Sequence, residues 1–308
     1  MASVIFSKSS DVNDSIFGKS QEPVRAVITQ GVEAFEAHSL LSTVFSMDTS
    51  SSFAEKYTSE TSLGDFEDVG ENGAYPKAGM VEGFSKVIEP TTWKSSFEVT
   101  QELVEDAKFG KVKSRASIFT TSYNRTREKF GAALLAGGLG KSVTIGGKVY
   151  STTSADGVPL FSTAHPSRTR GAKLAQSNCY TGAFSVEMLD KVQEAMQGYM
   201  DDDGNLLNVT PNTNNNAMNF QAGLWNVCVW NYLPKTIGGK PFFLMMDTGF
   251  KEDYECMPWV DRVKLTVRSE IDPNTDANVF RGRARFGAGF NNWRCVAICG
   301  EGVEGTVL

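Results

Sequence analysis

Apolar residues recur along this chain at two periods, and the switches between them mark its elements. Residues 1–22 keep neither period. Ser7, Ser9, Ser10, Asn13 and Ser15 set their character, which predicts an arm that is ordered only by a partner. Pro23 then opens a helix over Val24–His38, with Val24, Val27, Ile28, Val32 and Phe35 on one face, and proline is favourable in a first turn. After the polar run Thr49–Ser52, the segments Phe53–Ser62 and Phe84–Val99 predict extended strands, the second alternating Phe97 and Val99 with Ser96 and Glu98. Asn72-Gly73 is a turn signal between them and Tyr75-Pro76 forces extension, so the two strands form a long hairpin. Loops of that length are usually functional.

The longest pattern runs over Thr100–Ala136. Val112, Ala116, Phe119, Tyr123, Phe130 and Leu134 form one apolar stripe, Gly110 is the point where the helix would kink or split, and Gly137-Gly138 ends it. A continuous helix there would span roughly 50–55 Å at about 1.5 Å per residue. Beyond it come a hairpin across Ile145-Gly146-Gly147-Lys148, a loop at Asp156-Gly157 and a basic, structureless stretch with Arg168, Arg170 and Lys173. Ser185 caps a helix to Met200 whose stripe is Leu189, Val192, Met196 and Tyr199. Strand-like runs follow at Leu206–Thr210, Leu224–Trp230, Phe242–Met246, Val263–Val267, Val279–Phe286 and Trp293–Ile298, with an asparagine-rich loop over Asn212–Asn219. The string Thr-Ile-Gly-Gly-Lys occurs at 144 and again at 236 and reads as repeated turn chemistry. Helices and strands mix without regular βαβ alternation, so the class is α+β.

Charge changes the picture more than bulk composition does. The net charge of −6 and pI of about 5.2 argue against a dedicated nucleic-acid binder. Within that total the signs are segregated. Glu55–Asn72 carries Glu55, Glu60, Asp65, Glu67, Asp68 and Glu71 against a single Lys56, while Lys108–Lys129 carries Lys108, Lys111, Lys113, Arg115, Arg125, Arg127 and Lys129 against Glu128. An acidic arm that cannot bury itself, beside a rod of opposite sign, points to contact with another copy of the chain. Cysteines 179, 228, 256, 295 and 299 form no CxxC pair and read as buried thiols in a reducing compartment, with Cys295 and Cys299 on one strand. No basic–apolar leader opens the chain and no window approaches about 18 apolar residues, so a soluble, intracellularly made protein is expected.

Candidate chemistry is thin. Gly137-Gly138-Leu139-Gly140-Lys141-Ser142 ends like a phosphate loop, but Leu135 stands where the motif needs glycine and a helix precedes it, so it reads as a helix stop. Asp201-Asp202-Asp203-Gly204-Asn205 suggests calcium, yet the twelfth loop position would be Thr210, not a carboxylate, and a solvated loop is the better reading. His38 and His165 are the two histidines. Ser162 and His165 could belong to a hydrolytic triad, although no Gly-x-Ser-x-Gly elbow surrounds a serine, and His165 before Pro166 reads as a turn residue. No catalytic, metal or cofactor residue is assigned. Arg281, Arg283 and Arg285 alternate with Phe280, Gly282, Ala284 and Phe286, which puts three guanidinium groups on one strand face; a salt-bridged sheet face and an interface stand at even odds, with DNA third.

The order of the parts carries a resemblance. The strings Trp93-Lys94-Ser95-Ser96-Phe97, Asp156 through Pro166 (DGVPLFSTAHP) and Arg281–Phe290 follow one another around the long helix. With the polar arm, long hairpin and closing strands, the chain resembles tailed-phage major capsid proteins of the Hong Kong 97 fold, nearest the Mu-like major head subunit. The resemblance implies an α+β subunit divided into an N-terminal arm with the first helix (1–52), an extended loop hairpin (53–98), a peripheral domain with a spine helix (99–181), an axial domain (182–254) and a return to peripheral strands (255–308). It implies a virion shell made in the bacterial host cytoplasm, with no membrane and no cofactor. Partners would be further copies in hexameric and pentameric capsomers, a separate scaffolding protein, a maturation protease, a portal, and packaged DNA held without sequence recognition. The extended loop would lie on a neighbour's spine, so the expected interface residues are Glu67, Asp68, Glu71, Tyr75, Lys77, Lys111, Lys113, Arg115, Arg125, Arg127, Arg281, Arg283 and Arg285. Lys77 and Asn291 or Asn292 are positions for a covalent crosslink, but nothing flanking them matches a catalytic arrangement. An encapsulin-like compartment is the alternative, and a serine hydrolase a more distant one.

Overall fold

The computed structural model describes residues 22–36, 39–60, 66, 68–69, 74–75, 82–100, 102–103, 106, 109–207, 209 and 225–308. Helix α1 (Glu22–Glu36), with Pro23 in its first turn, and the short α2 (Leu41–Val44) lead into strand β1 (Ser46–Thr49). Helix α3 (Phe109–Ala136) is the spine, 28 residues or about 42 Å long, and α1 packs along it. It starts at Phe109 rather than at Thr100, with Gly110 inside the first turn, where a glycine disturbs a helix less than it would at mid-length. A 3-10 turn over Gly137–Leu139 ends it, as the glycine pair predicts.

One four-stranded sheet, ordered β1-β11-β12-β4, lies under the spine; β4 is Thr91–Val99, β11 Pro258–Ile271 and β12 Asn278–Ala288. Phe97 and Phe280 stack across β4 and β12 at 4.9 Å, and Phe119 of α3 sits directly on Gly282, where any Cβ would collide with the ring. A second sheet, β10-β13-β9-β14, joins Phe242–Met246, Val296–Gly300, Cys179–Thr181 and Thr306–Val307, with α4 (Val186–Gln197) and α5 (Thr248–Asp253) beside it. Ser185 caps α4 by accepting from the Met188 amide at 3.1 Å. The strands after residue 255 are therefore shared: β11 and β12 belong to the spine sheet, β13 and β14 to the second. A single large core joins both sheets through Phe130, Leu134, Trp259, Phe286, Phe290 and Ile298.

Three hairpins complete the fold: β2 (Glu55–Glu60) with β3 (Glu82–Ile88), β5 (Ser142–Ile145) with β6 (Lys148–Ser151), and β7 (His165–Ser167) with β8 (Gly171–Gln176). The repeated Gly-Gly strings make the same turn twice. Gly146 and Gly147 have φ of 58° and 81°, Gly238 and Gly239 have 57° and 76°, and each pair closes an Ile–Lys bridge.

Several expectations are corrected. Phe84–Val99 is two strands, broken at Glu89-Pro90, because proline lacks the N–H a continuing ladder needs; β3 pairs with β2, whereas β4 joins β12 in the spine sheet. The stretch around Arg168 is a hairpin, not structureless. Trp293–Cys295 is a 3-10 turn, so Cys295 precedes the strand that carries Cys299. Residues 225–230 form no strand, and Leu206 makes only an isolated bridge to Met200. The readings for 1–21, for His38 and for Asn212–Asn219 lie outside the described residues.

Candidate functional site

The spine divides the expected basic strip into an outer and an inner part. Lys111, Arg115, Ile118, Ser122, Arg125 and Lys129 recur at spacings of four and three, which places them on one face of α3. All but Ser122 are exposed, Ile118 to 65%, and Lys113 is exposed off that stripe. None of these cations makes an ion pair among the described residues; Arg115 donates only to the Glu98 carbonyl. The stripe is cationic with an apolar residue at its centre.

Arg127 is corrected out of that strip. It is buried, and it bridges Glu36 of α1 at 3.1 Å and Asp261 of β11 at 2.8 Å, while its guanidinium lies 5.3 Å from the Trp259 ring centroid. Burial holds the Asp261 carboxyl above its usual range, and Arg127 pulls it back down. Glu128 is buried too and accepts from the Ser39 hydroxyl and the Trp230 indole N–H. The two residues bolt the spine to α1, β11 and the 225–230 segment.

The hairpin β2–β3 leaves the body at a pinned base. Lys86 donates to the Thr153 carbonyl at 2.7 Å, the Thr153 hydroxyl at 2.9 Å and Ser151 at 3.1 Å; burial lowers its pKa, against the pull of Asp156. Arg168 donates to the Gly83 carbonyl. Tyr57 donates to Asp48 at 2.7 Å, and Tyr57, Ile88 and Val260 make a small core under the joint. Beyond it Asp68 is exposed, and Phe66 and Tyr75 are fully or nearly fully so, Phe66 at 107% and Tyr75 at 94%. Glu67, Glu71 and Lys77 lie outside the described residues.

Arg281, Arg283 and Arg285 do alternate on β12 with buried Gly282, Ala284 and Phe286. Arg281 pairs with Glu270 at 2.7 Å across the sheet, and Arg285 reaches the Pro90 carbonyl, so both readings of this face keep support. Asn291 and Asn292 are buried, and Asn292 caps the 3-10 turn by accepting from Arg294, so neither side chain is presented at the surface for a crosslink.

The hydrolase alternative fails on geometry. His165 is buried, stacks on Trp293 at 4.1 Å, and has both ring nitrogens engaged, Nδ1 with Asp156 at 2.6 Å and Nε2 with Asn178 Oδ1 at 3.1 Å. Nothing is left to activate Ser162, whose hydroxyl accepts from the Ala164 amide. In the acidic loop, Asp201 Oδ1 accepts from the amides of Asp203, Gly204 and Asn205, and Asp202 pairs with Arg294 at 3.1 Å. These carboxylates are used within the fold, and no cluster suited to a metal occurs among the described residues. No helix among them is long and apolar enough to cross a membrane.

A family model described as phage capsid protein matches residues 83–299. No curated protein sequence matches the chain. Among solved structures, the chain is similar to one titled procapsid of bacteriophage JBD30, at 14% identity and a TM-score of 0.45, covering 90% of this chain and 75% of that one. It is similar to a structure from Mycobacterium phage Adephagia at 14% identity and a TM-score of 0.46, covering 87% and 89%. It is also similar to a capsid structure of Cyanophage P-SCSP1u at 12% identity and a TM-score of 0.48, covering 84% and 86%. Likenesses at that level carry no weight by themselves; the family match does.

Proposed function

The chain belongs to the phage capsid protein family, and from that premise we propose that it is the major head subunit of a tailed bacteriophage. In this reading it has the Hong Kong 97-type fold and assembles through hexameric and pentameric capsomers into an icosahedral shell around double-stranded DNA. The observation that carries the reading is a pair of unsatisfied surfaces. A basic stripe stands on a rigid helix, and an acidic hairpin holds Phe66 and Tyr75 in solvent. Exposed aromatic surface gains about 25 cal/mol per Å² when a neighbour covers it, and aromatic residues are enriched where proteins meet. Repeated many times over a closed shell, modest contacts of this kind suffice. The role is structural, not catalytic.

The finer parts of the reading belong with it. Residues 53–98 form the loop that reaches a neighbour, 99–181 the peripheral domain and 182–254 the axial one. The three strings around Trp93, Asp156 and Arg281 support a reading nearest the Mu-like head proteins. A separate scaffold, a protease and a portal complete the assembly in the host cytoplasm. Electron microscopy of the purified protein, alone and co-expressed with its scaffold, tests the function. Closed shells of one size are expected. A monodisperse monomer or small oligomer under both conditions would overturn it, and shells filled with protein cargo instead of DNA would favour a compartment.

A further inference from the structure

One segment of this chain has the composition of a strand, yet its middle, Asn226–Val229, joins no sheet among the described residues. Trp225-Asn226-Val227-Cys228-Val229-Trp230 is composed of residues that favour extended backbone, yet it is irregular, and the backbone of Asn226–Val229 forms no hydrogen bond among the described residues. Its two ends are anchored. Trp225 and Trp230 pack against the large core, and the Trp230 indole N–H is held by buried Glu128. The middle is left in solvent, with Val227 81% and Val229 75% exposed and Cys228 exposed between them. The tryptophans hold these four residues at the surface, with no backbone hydrogen bond among the described residues.

A matching edge stands elsewhere on the same subunit. β10 (Phe242–Met246) lies at the end of the second sheet and, among the described residues, is paired on its β13 side alone. Proteins guard exposed edges with charge, proline or brevity. The opposite edge of that sheet, β14, is two residues long; in the spine sheet, edge β4 carries Lys94 and Glu98, and edge β1 carries Asp48. β10 is Phe-Phe-Leu-Met-Met, five apolar residues without a charge, and Phe184 extends its apolar rim by packing on Phe243 at 5.3 Å while remaining 67% exposed.

We propose that Asn226–Val229 is an assembly strand that adds to the β10 edge of a second copy of this chain. The pairing rests on the shell reading above. Each copy offers one strand and one edge at different places on its surface, so the contact is head-to-tail and propagates around a ring. Main-chain hydrogen bonds complete both ladders, while Val227 and Val229 meet the apolar β10 edge.

The native thiols supply the test. Cys179, Cys256, Cys295 and Cys299 are buried, and burial pushes Cys179 up to about 11 and raises Cys256 and Cys299 as well, so a thiolate-directed reagent finds Cys228 first. Labelling of Cys228 in the unassembled protein is compared with labelling in purified shells. The expected result is slowing on the order of tenfold in shells, since the reagent must wait for local opening. An equal rate in intact shells would overturn the proposal and leave the shell reading standing; failure to form shells at all would overturn both. Shells of the single variants Phe243→Cys and Leu244→Cys, one for each face of β10, are then oxidised. A disulfide between copies, seen as covalent multimers on a non-reducing gel in either variant, is expected. Protection of Cys228 without a crosslink at either position would overturn β10 as the receiving edge.

Discussion

The two halves of the spine helix are made from similar residues and put to opposite uses. From Asn124 to Leu135 the helix is buried on most of its circumference: Asn124, Arg127, Glu128, Phe130, Ala132, Leu134 and Leu135 are all inside. Its buried charges are consumed within the subunit, Arg127 by Glu36 and Asp261, Glu128 by Ser39 and Trp230, while Arg125 and Lys129 stay on the exposed stripe. From Gly110 to Thr120 only Val112, Ala116, Phe119 and Thr120 are buried, the first three in a small satellite core with Val24, Ile28, Val99 and Phe280. Lys111, Lys113, Arg115 and Ile118 are left facing outward. The lesson is that a charge on a long helix has no fixed meaning: it organises the monomer where its side of the helix faces the sheet and α1, and is left exposed where that side faces away from them.

The sharpest way to break this division is Arg127→Met. It leaves Asp261 buried without its ion partner, and a loss of about 3–5 kcal/mol in the urea unfolding of the unassembled subunit is expected. Without Arg127 the lowering pull of the guanidinium is gone, and burial holds the Asp261 carboxyl further above its unfolded value despite the Trp259 hydrogen bond. A raised carboxyl favours the fold below the unfolded pKa and loses that support as pH rises through the folded one. The penalty of Arg127→Met should therefore shrink as pH falls toward 4, and a penalty independent of pH would remove Asp261 from the account. A smaller effect is expected from Trp230→Phe, which takes a donor from buried Glu128 and should cost about 1–3 kcal/mol by the same unfolding measurement. Stability unchanged by that substitution would mean that the 225–230 segment is not held to the spine through Glu128. Smallest for the monomer, and largest for assembly, is the triple change Lys111→Glu, Lys113→Glu and Arg115→Glu. Its unfolding midpoint should match that of the parent, while the yield of shells seen by microscopy drops; full yield would leave the outer stripe without a function.

Much of this architecture is legible without coordinates, for identifiable reasons. The spine's stripe from Val112 to Leu134 shows because a single period persists through it, and both Gly-Gly turns show because two successive positive φ angles require glycine. Nothing around residue 100 distinguishes the stretch before Phe109 from the spine itself, whereas Pro90 does mark the break between β3 and β4. Arg127 was misjudged for a deeper reason. Its sign is local, but Glu36 and Asp261 reach it only through the fold, from far away in the chain on either side. The same holds for residues 226–229, where the propensity for a strand is evident and the absence of a pairing strand among the described residues is not. Of the acidic hairpin, Asp68 and Tyr75 are exposed as their surroundings suggest, while Glu67, Glu71 and Lys77 lie outside the described residues.

In the proposed shell, the exposed stripe of the spine receives the acidic hairpin of a neighbouring copy. The most direct measurement is shell yield by electron microscopy for the variant carrying Glu67→Lys, Asp68→Lys and Glu71→Lys, alone and mixed with subunits carrying the reversed spine charges at 111, 113 and 115. The account predicts folded subunits that fail to close shells alone and recover them when the two reversed surfaces are combined. Normal shells from the hairpin variant by itself would contradict it.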